Sequence, residues 1–113
     1  APYSNFAVGA AVLYEDGSVV AGCNCENASY GLACCAERVA LFRGVAEGKK
    51  GVRAIAVVVD SPEPGAPCGA CRQVIYEFGP DALVLMANVG KKGFDAISIR
   101  DLLPRAFGPE ALT

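Results

Sequence analysis

No run of Lys or Arg in this 113-residue chain exceeds two residues, and the formal net charge is only -2. Nucleic-acid and membrane-surface partners are therefore not expected, because both are held mainly by clustered positive charge. No apolar stretch approaches the ~20 residues that span a bilayer, and no basic-then-apolar leader is visible. Internal repeats, linkers and low-complexity tracts are missing too. So is an initiating Met, which raises the expectation of a trimmed or processed chain. What remains is an ordinary globular composition, 53% hydrophobic and 19% charged. That is enough apolar side chain for a real core and too little charge for disorder. The length suits one compact domain over residues 1–113.

The six cysteines fall in three pairs: Cys23/Cys25, Cys34/Cys35 and Cys68/Cys71. A secreted disulfide scaffold is disfavoured, because the core suffices without staples. Clustered pairs in a chain with no visible leader point instead to metal or redox chemistry. Around them the chain reads as alternating short elements. "FAVGAAVLYEDGSVVAGCN" is a hairpin turning at Asp16-Gly17. Apolar residues at Cys35, Val39, Phe42 and Ala46 have helical spacing, so a helix from Cys35 to about Glu47 buries that face. "RAIAVVVD" and "ALVLMANV" are strands buried on both faces, and "SPEPGAP" is a loop. A second helix runs from Cys68 to about Phe78, and a short strand and helical turn end at Pro104. The order β-β-α-β-α-β-β predicts a mixed sheet with helices packed on it.

Cys68-Gly-Ala-Cys71 places two thiols about 5 to 6 Å apart on one helix face, which suits two bonds to one tetrahedral zinc. Alone, this spacing fits a redox dithiol equally. Cys35-Ala36-Glu37 shifts the balance. A third thiolate completes a three-ligand site whose fourth position is left to water, the arrangement of catalytic zinc. Glu37 is then a proton carrier for that water; by itself it would read as a first-turn acid complementing the helix dipole. Three thiolates weaken the metal as a Lewis acid. Arg38 and Arg72 are placed to donate hydrogen bonds to the sulfurs and offset that charge. Cys34 would change the thiol-to-carboxylate spacing and is assigned to packing. Cys23 and Cys25 read as small buried residues on one strand face. Asn24 and Glu26 share the other face, as a hydrogen-bonding pair for hydroxyl groups.

"CAE" followed by "PCGAC" resembles the zinc-dependent nucleoside and nucleobase deaminases. More narrowly, "APYSNFAVGAA", "GCNCENASYGL", "CAER" and "PCGACRQV", in that order, resemble the small homotetrameric cytidine deaminases. The resemblance runs from residue 1 to about Phe107. It implies a three-layer α-β-α sandwich with a mixed five-stranded sheet, in a cytoplasmic homotetramer with active sites shared between subunits. It implies one Zn2+ per subunit on Cys35, Cys68 and Cys71, with Glu37 as the catalytic proton shuttle and Arg38 neutralising the thiolates. Substrate contacts are implied for Phe6, Asn24, Glu26 and Ala36. Ala28, Tyr30 and Phe107 are implied to reach a neighbouring subunit's nucleoside; on their own Phe6 and Phe107 would read as packing. It also implies a helix ahead of the "APYS" block, so the chain is expected to be a single deaminase domain lacking that helix.

The expected reaction is hydrolytic deamination of cytidine and 2'-deoxycytidine to the uridine products and ammonia, as in pyrimidine salvage. The partner is a small nucleoside, with no nucleic acid and no membrane. One rival is deamination of a nucleoside antibiotic or of a base in RNA or single-stranded DNA; the acidic balance and the Asn24/Glu26 pair oppose the nucleic-acid form. The other is a structural zinc module, which requires a fourth protein ligand, and Cys34 is the only adjacent candidate.

Overall fold

The computed structural model describes residues 1–112. Asp16-Gly17 forms the expected hairpin turn between β1 (Val8–Tyr14) and β2 (Val19–Cys23). Gly17 has φ +86°, a conformation that only glycine adopts cheaply. Three further strands follow: β3 (Val52–Val59), β4 (Leu83–Asn88) and β5 (Asp95–Ser98). They join in one five-stranded sheet of order β2-β1-β3-β4-β5, parallel at β3–β4 and antiparallel elsewhere. The mixed sheet expected from the element order is what forms. The crossover between the parallel pair carries a helix, as parallel strands require.

Register sets the layers. Val12 pairs with Ile55 and Ile55 with Val84, so these three fully buried residues line one face of the sheet. Helices α1 (Ala36–Ala46) and α2 (Gly69–Phe78) pack onto that face through Ala36, Ala40, Leu41, Ile75 and Tyr76. A short α3 (Ile99–Leu102) closes the edge, its Ser98 cap accepting from the Asp101 N–H at 3.3 Å. On the opposite face Ala54, Ala56, Val58, Leu85 and Ala87 are only half-buried. The reading of β3 and β4 as buried on both faces is corrected accordingly: one face is sealed and the other half covered.

The burial of α1 also differs from the expectation. Its buried residues are Ala36, Glu37, Ala40, Leu41 and Gly44, while Phe42 and Val45 are exposed. The apolar spacing pointed at the bulky residues, but close approach selects the small ones. A Cβ on Gly22 of β2 would lie 2.6 Å from the Ala40 nitrogen, so helix backbone and strand backbone nearly touch here. Only a helix face of Ala and Gly fits that gap.

Candidate active site

Both thiol-bearing motifs sit at helix starts. Cys35 is the N-cap of α1 and Cys68 the N-cap of α2, with Cys71 in the first turn. The Cys68 sulfur accepts the Cys71 N–H at 3.4 Å, satisfying one of the orphan donors at a helix N-terminus. Because α1 and α2 lie side by side on the sheet, the two N-termini converge. The sulfurs of Cys35, Cys68 and Cys71 all lie within 4.8 Å of one another. Cys35 and Cys68 are 3.8 Å apart, the separation expected for two sulfurs each ~2.3 Å from one tetrahedral zinc. Cys34 does not belong to the cluster, so no fourth protein ligand stands there among the described residues. The chain has no histidine, so imidazole cannot complete the set.

Glu37 lies two residues beyond Cys35 and is 4% exposed. Among the described residues nothing hydrogen-bonds its carboxylate. A buried carboxylate beside three thiols is costly unless a cation shares the space. Arg38 supplies part of that charge: its Nη2 donates to the Cys35 sulfur at 3.6 Å, and its buried Nε has no partner among the described residues. The hydrogen bond to Cys35, outweighing burial, holds the guanidinium still further above its usual range. Burial first, then the Glu37 carboxylate, push the Cys71 thiol well up. Burial pushes Cys68 up too, but the Cys71 N–H and the neighbouring thiols outweigh it and leave Cys68 below the usual thiol range. A dication would favour the thiolate that this crowding disfavours at Cys71, and the three residues fit zinc by number, sulfur chemistry and spacing.

A cavity of about 420 Å³ opens beside the cluster, lined among others by Phe6, Asn24, Glu26, Ala36, Glu37 and Cys68. Phe6, Asn24, Glu26, Ala36, Arg38, Glu37 and the metal residues are therefore brought to one place. Tyr30 lines an adjoining cavity with Tyr3 and Glu26, its ring meeting that of Tyr3 edge-on. Ala28 and Phe107 line neither cavity, and Tyr30 and Phe107 are 76% and 61% exposed.

Asn24 and Glu26 occupy the half-buried side of their segment, as the alternation predicts. What the sequence did not reveal is their partners. Asn24 accepts from the Val8 N–H and donates to the Phe6 carbonyl, both at 3.0 Å. Glu26 accepts from the N–H groups of Tyr3 and Ser4, at 2.9 and 3.0 Å, and from the Ser4 hydroxyl. These bonds, the Ser4 hydroxyl first, bring the Glu26 carboxyl down to about 2. Ser4 is thus a site residue that sequence reasoning missed; its place in the "APYS" block beside Phe6 was the available signal.

Two expectations need correction. Cys23 and Cys25 are exposed, not buried. Cys23 ends β2, the edge strand of the sheet, and Cys25 lies beyond it. Nor does Arg72 reach the sulfurs: it donates to the carbonyls of Pro67 at 2.8 Å and Leu102 at 3.0 Å. It ties the turn before Cys68 to the end of α3, since carbonyls left free at helix and loop ends lie within its reach. Next to it Gln73 donates to the Phe107 carbonyl at 2.8 Å.

The profile of the cytidine and deoxycytidylate deaminase zinc-binding region matches residues 1–87. The cytidine deaminase of Halalkalibacterium halodurans is 54% identical over 110 residues, covering 96% of this chain and 83% of that protein. That of Sporosarcina psychrophila is 46% identical over 112 residues, covering 99% of this chain and 82% of that protein. Among solved structures, the cytidine deaminase from Burkholderia pseudomallei superposes with a TM-score of 0.90 at 54% identity, covering 95% of this chain and 86% of the other.

Proposed function

The chain belongs to the cytidine and deoxycytidylate deaminase family and deaminates cytidine hydrolytically with zinc, and on that premise we propose how its residues divide the work and that 2'-deoxycytidine is a second substrate. The observation that carries the reading is the meeting of three sulfurs and one buried carboxylate at the wall of a nucleoside-sized cavity. Cys35, Cys68 and Cys71 would hold the zinc, which when bound would supply a Lewis acid that lowers the pKa of a water toward neutrality.

Glu37 accepts the proton of that water and passes it to N3 of the pyrimidine, which makes C4 more electrophilic. The water oxygen adds to C4. Glu37 then takes the proton of the new C4 hydroxyl and delivers it to the amino group; the C4–N bond breaks as C4=O forms, and ammonia leaves. A carboxylate serves both transfers because it is buried and unpaired, so no neighbour competes for its oxygens. Arg38 offsets thiolate charge that would otherwise weaken the metal. Ala36 opens α1, where an N–H has no helical acceptor and is free for a substrate carbonyl. Phe6, held by Asn24, packs against the ring.

Hydrogen-bond capacity supports the choice of sugar. A carboxylate offers about four acceptor sites, and three on Glu26 are taken. Asn24 keeps one free N–H after serving Val8 and Phe6. One donor and one acceptor satisfy one hydroxyl. The pair therefore reads a single sugar hydroxyl, and a nucleoside lacking the other is accepted. Ala28, Tyr30 and Phe107, which stand apart from this cavity, serve the sites of neighbouring subunits in a homotetramer.

Purified wild type and Glu37→Gln, assayed with cytidine, 2'-deoxycytidine and 2',3'-dideoxycytidine, test the proposal. The first two substrates turn over with similar KM, and the dideoxy compound is markedly poorer. The variant keeps its zinc and loses at least ~10²-fold in kcat. Retained turnover in Glu37→Gln ends the assigned role, and equal turnover of the dideoxy compound ends the single-hydroxyl reading.

A further inference from the structure

Three cysteines outside the metal cluster take no part in the mechanism, and two of them are backbone partners, the Cys25 sulfur lying 3.9 Å from the Cys23 carbonyl. Cys25 and Cys34 form an isolated antiparallel bridge outside any named strand. Each donates its N–H to the other's carbonyl, at 2.9 and 2.8 Å. Residues that exchange both bonds in this way lie with Cα atoms ~5.5 Å apart and side chains on the same side, within the usual disulfide range of ~4.4 to 6.8 Å. Both residues also line the cavity beside the metal cluster. Cys25 sits between Asn24 and Glu26, and Cys34 immediately precedes Cys35. Cys25 is exposed and Cys34 half-buried, so small oxidants reach both sulfurs.

We propose that Cys25 and Cys34 are a reversible oxidation site at the mouth of the active-site cavity, joined as a disulfide by a peroxide and restricting nucleoside entry when joined. One thiol is oxidised by hydrogen peroxide to a sulfenic acid, releasing one water. The second thiol attacks that sulfur, the S–S bond forms, and a second water leaves. Two thiols and one peroxide become one disulfide and two waters.

Opposed Cβ atoms stand ~4.5 to 5.5 Å apart and a relaxed disulfide needs ~3.8 Å, so the bond pulls these two hydrogen-bonded segments of the cavity lining closer together. A lone bridge can yield in this way, whereas a pair inside a ladder is held by its neighbours. The same mismatch strains the bond and makes it easy to reduce. Pulling them together shifts Asn24 and Glu26, which flank Cys25, and the peptide before Cys35.

The zinc-loaded enzyme is titrated with hydrogen peroxide while a metallochromic dye follows zinc release. At a dose that leaves zinc bound, intact mass falls by about 2 Da, one pair of hydrogens. Proteolytic mapping without reductant yields a Cys25–Cys34 crosslinked peptide. The KM for cytidine rises several-fold, and dithiothreitol restores mass and KM together. Cys25→Ser and Cys34→Ser keep basal turnover and show neither change. A crosslink between other cysteines, the same mass loss in either variant, or unchanged KM in the crosslinked enzyme overturns the proposal. The mapping reads sulfur chemistry alone, so its result stands apart from the deaminase mechanism.

Discussion

At the scale of single residues, Glu26 illustrates how a polar group serves position before it serves substrate. Its carboxyl lies at about 2, against an ordinary 4.5, because the Ser4 hydroxyl and two backbone N–H groups bond the charged form. A depressed carboxyl stabilises the fold fully above about pH 4.5 and loses that contribution as pH falls through about 2. Comparing acid unfolding of wild type and Glu26→Gln therefore gives a stability difference that is constant from neutrality to about pH 5 and shrinks below it. A difference that persists undiminished to pH 2 would show that the carboxylate bonds are not its source. The pairing of Asn24 with Glu26 on one side was legible in the sequence, since alternation alone places them together. Their bonds to Tyr3, Ser4, Phe6 and Val8 were not, because local pattern carries no information on which distant donors a carboxylate meets. Arg72 was misread for the same reason: a guanidinium five atoms from its backbone reaches sulfurs and carbonyls alike, and only packing chooses.

At the scale of elements, the order of strands and helices was readable almost throughout, and both helices begin where the thiol motifs predicted. The buried face of α1 was not readable, because spacing of large apolar residues favoured Val39 and Phe42. The contact is decided instead by Gly22, whose missing Cβ lets the strand approach the Ala40 nitrogen. Gly22→Ala places a methyl 2.6 Å from that backbone atom. Neither backbone can rotate away, so the strain exceeds the ~0.5 to 1 kcal/mol that Ala gains over Gly in a strand. Net destabilisation of ~1 to 3 kcal/mol is expected by denaturant unfolding. Because α1 carries Cys35 as its N-cap and Glu37 in its first turn, kcat falls in the same variant with zinc retained. Unchanged stability would contradict a close helix–strand contact at Gly22.

At the scale of the whole molecule, the isolated chain leaves Val19, Tyr30, Phe42 and Phe107 between 47% and 76% exposed. Side chains of this kind are available to an assembly in which subunits complete one another's sites. Mixing inactive Glu37→Gln and Phe107→Ala subunits under conditions that allow exchange is predicted to restore partial activity at four times the chain mass, because some sites then draw both intact residues from different chains. No recovery on exchange contradicts shared sites. The resemblance in the sequence suggested this arrangement; composition and periodicity could not, since an apolar side chain waiting for a partner reads the same as one bound for the core.

All of the chemistry depends on a metal held by three sulfurs with its last position open to water. X-ray absorption at the zinc edge of the purified enzyme reads that directly. Three sulfur neighbours at ~2.3 Å and one oxygen at ~2.0 Å are predicted; four sulfurs, or two, would contradict the account.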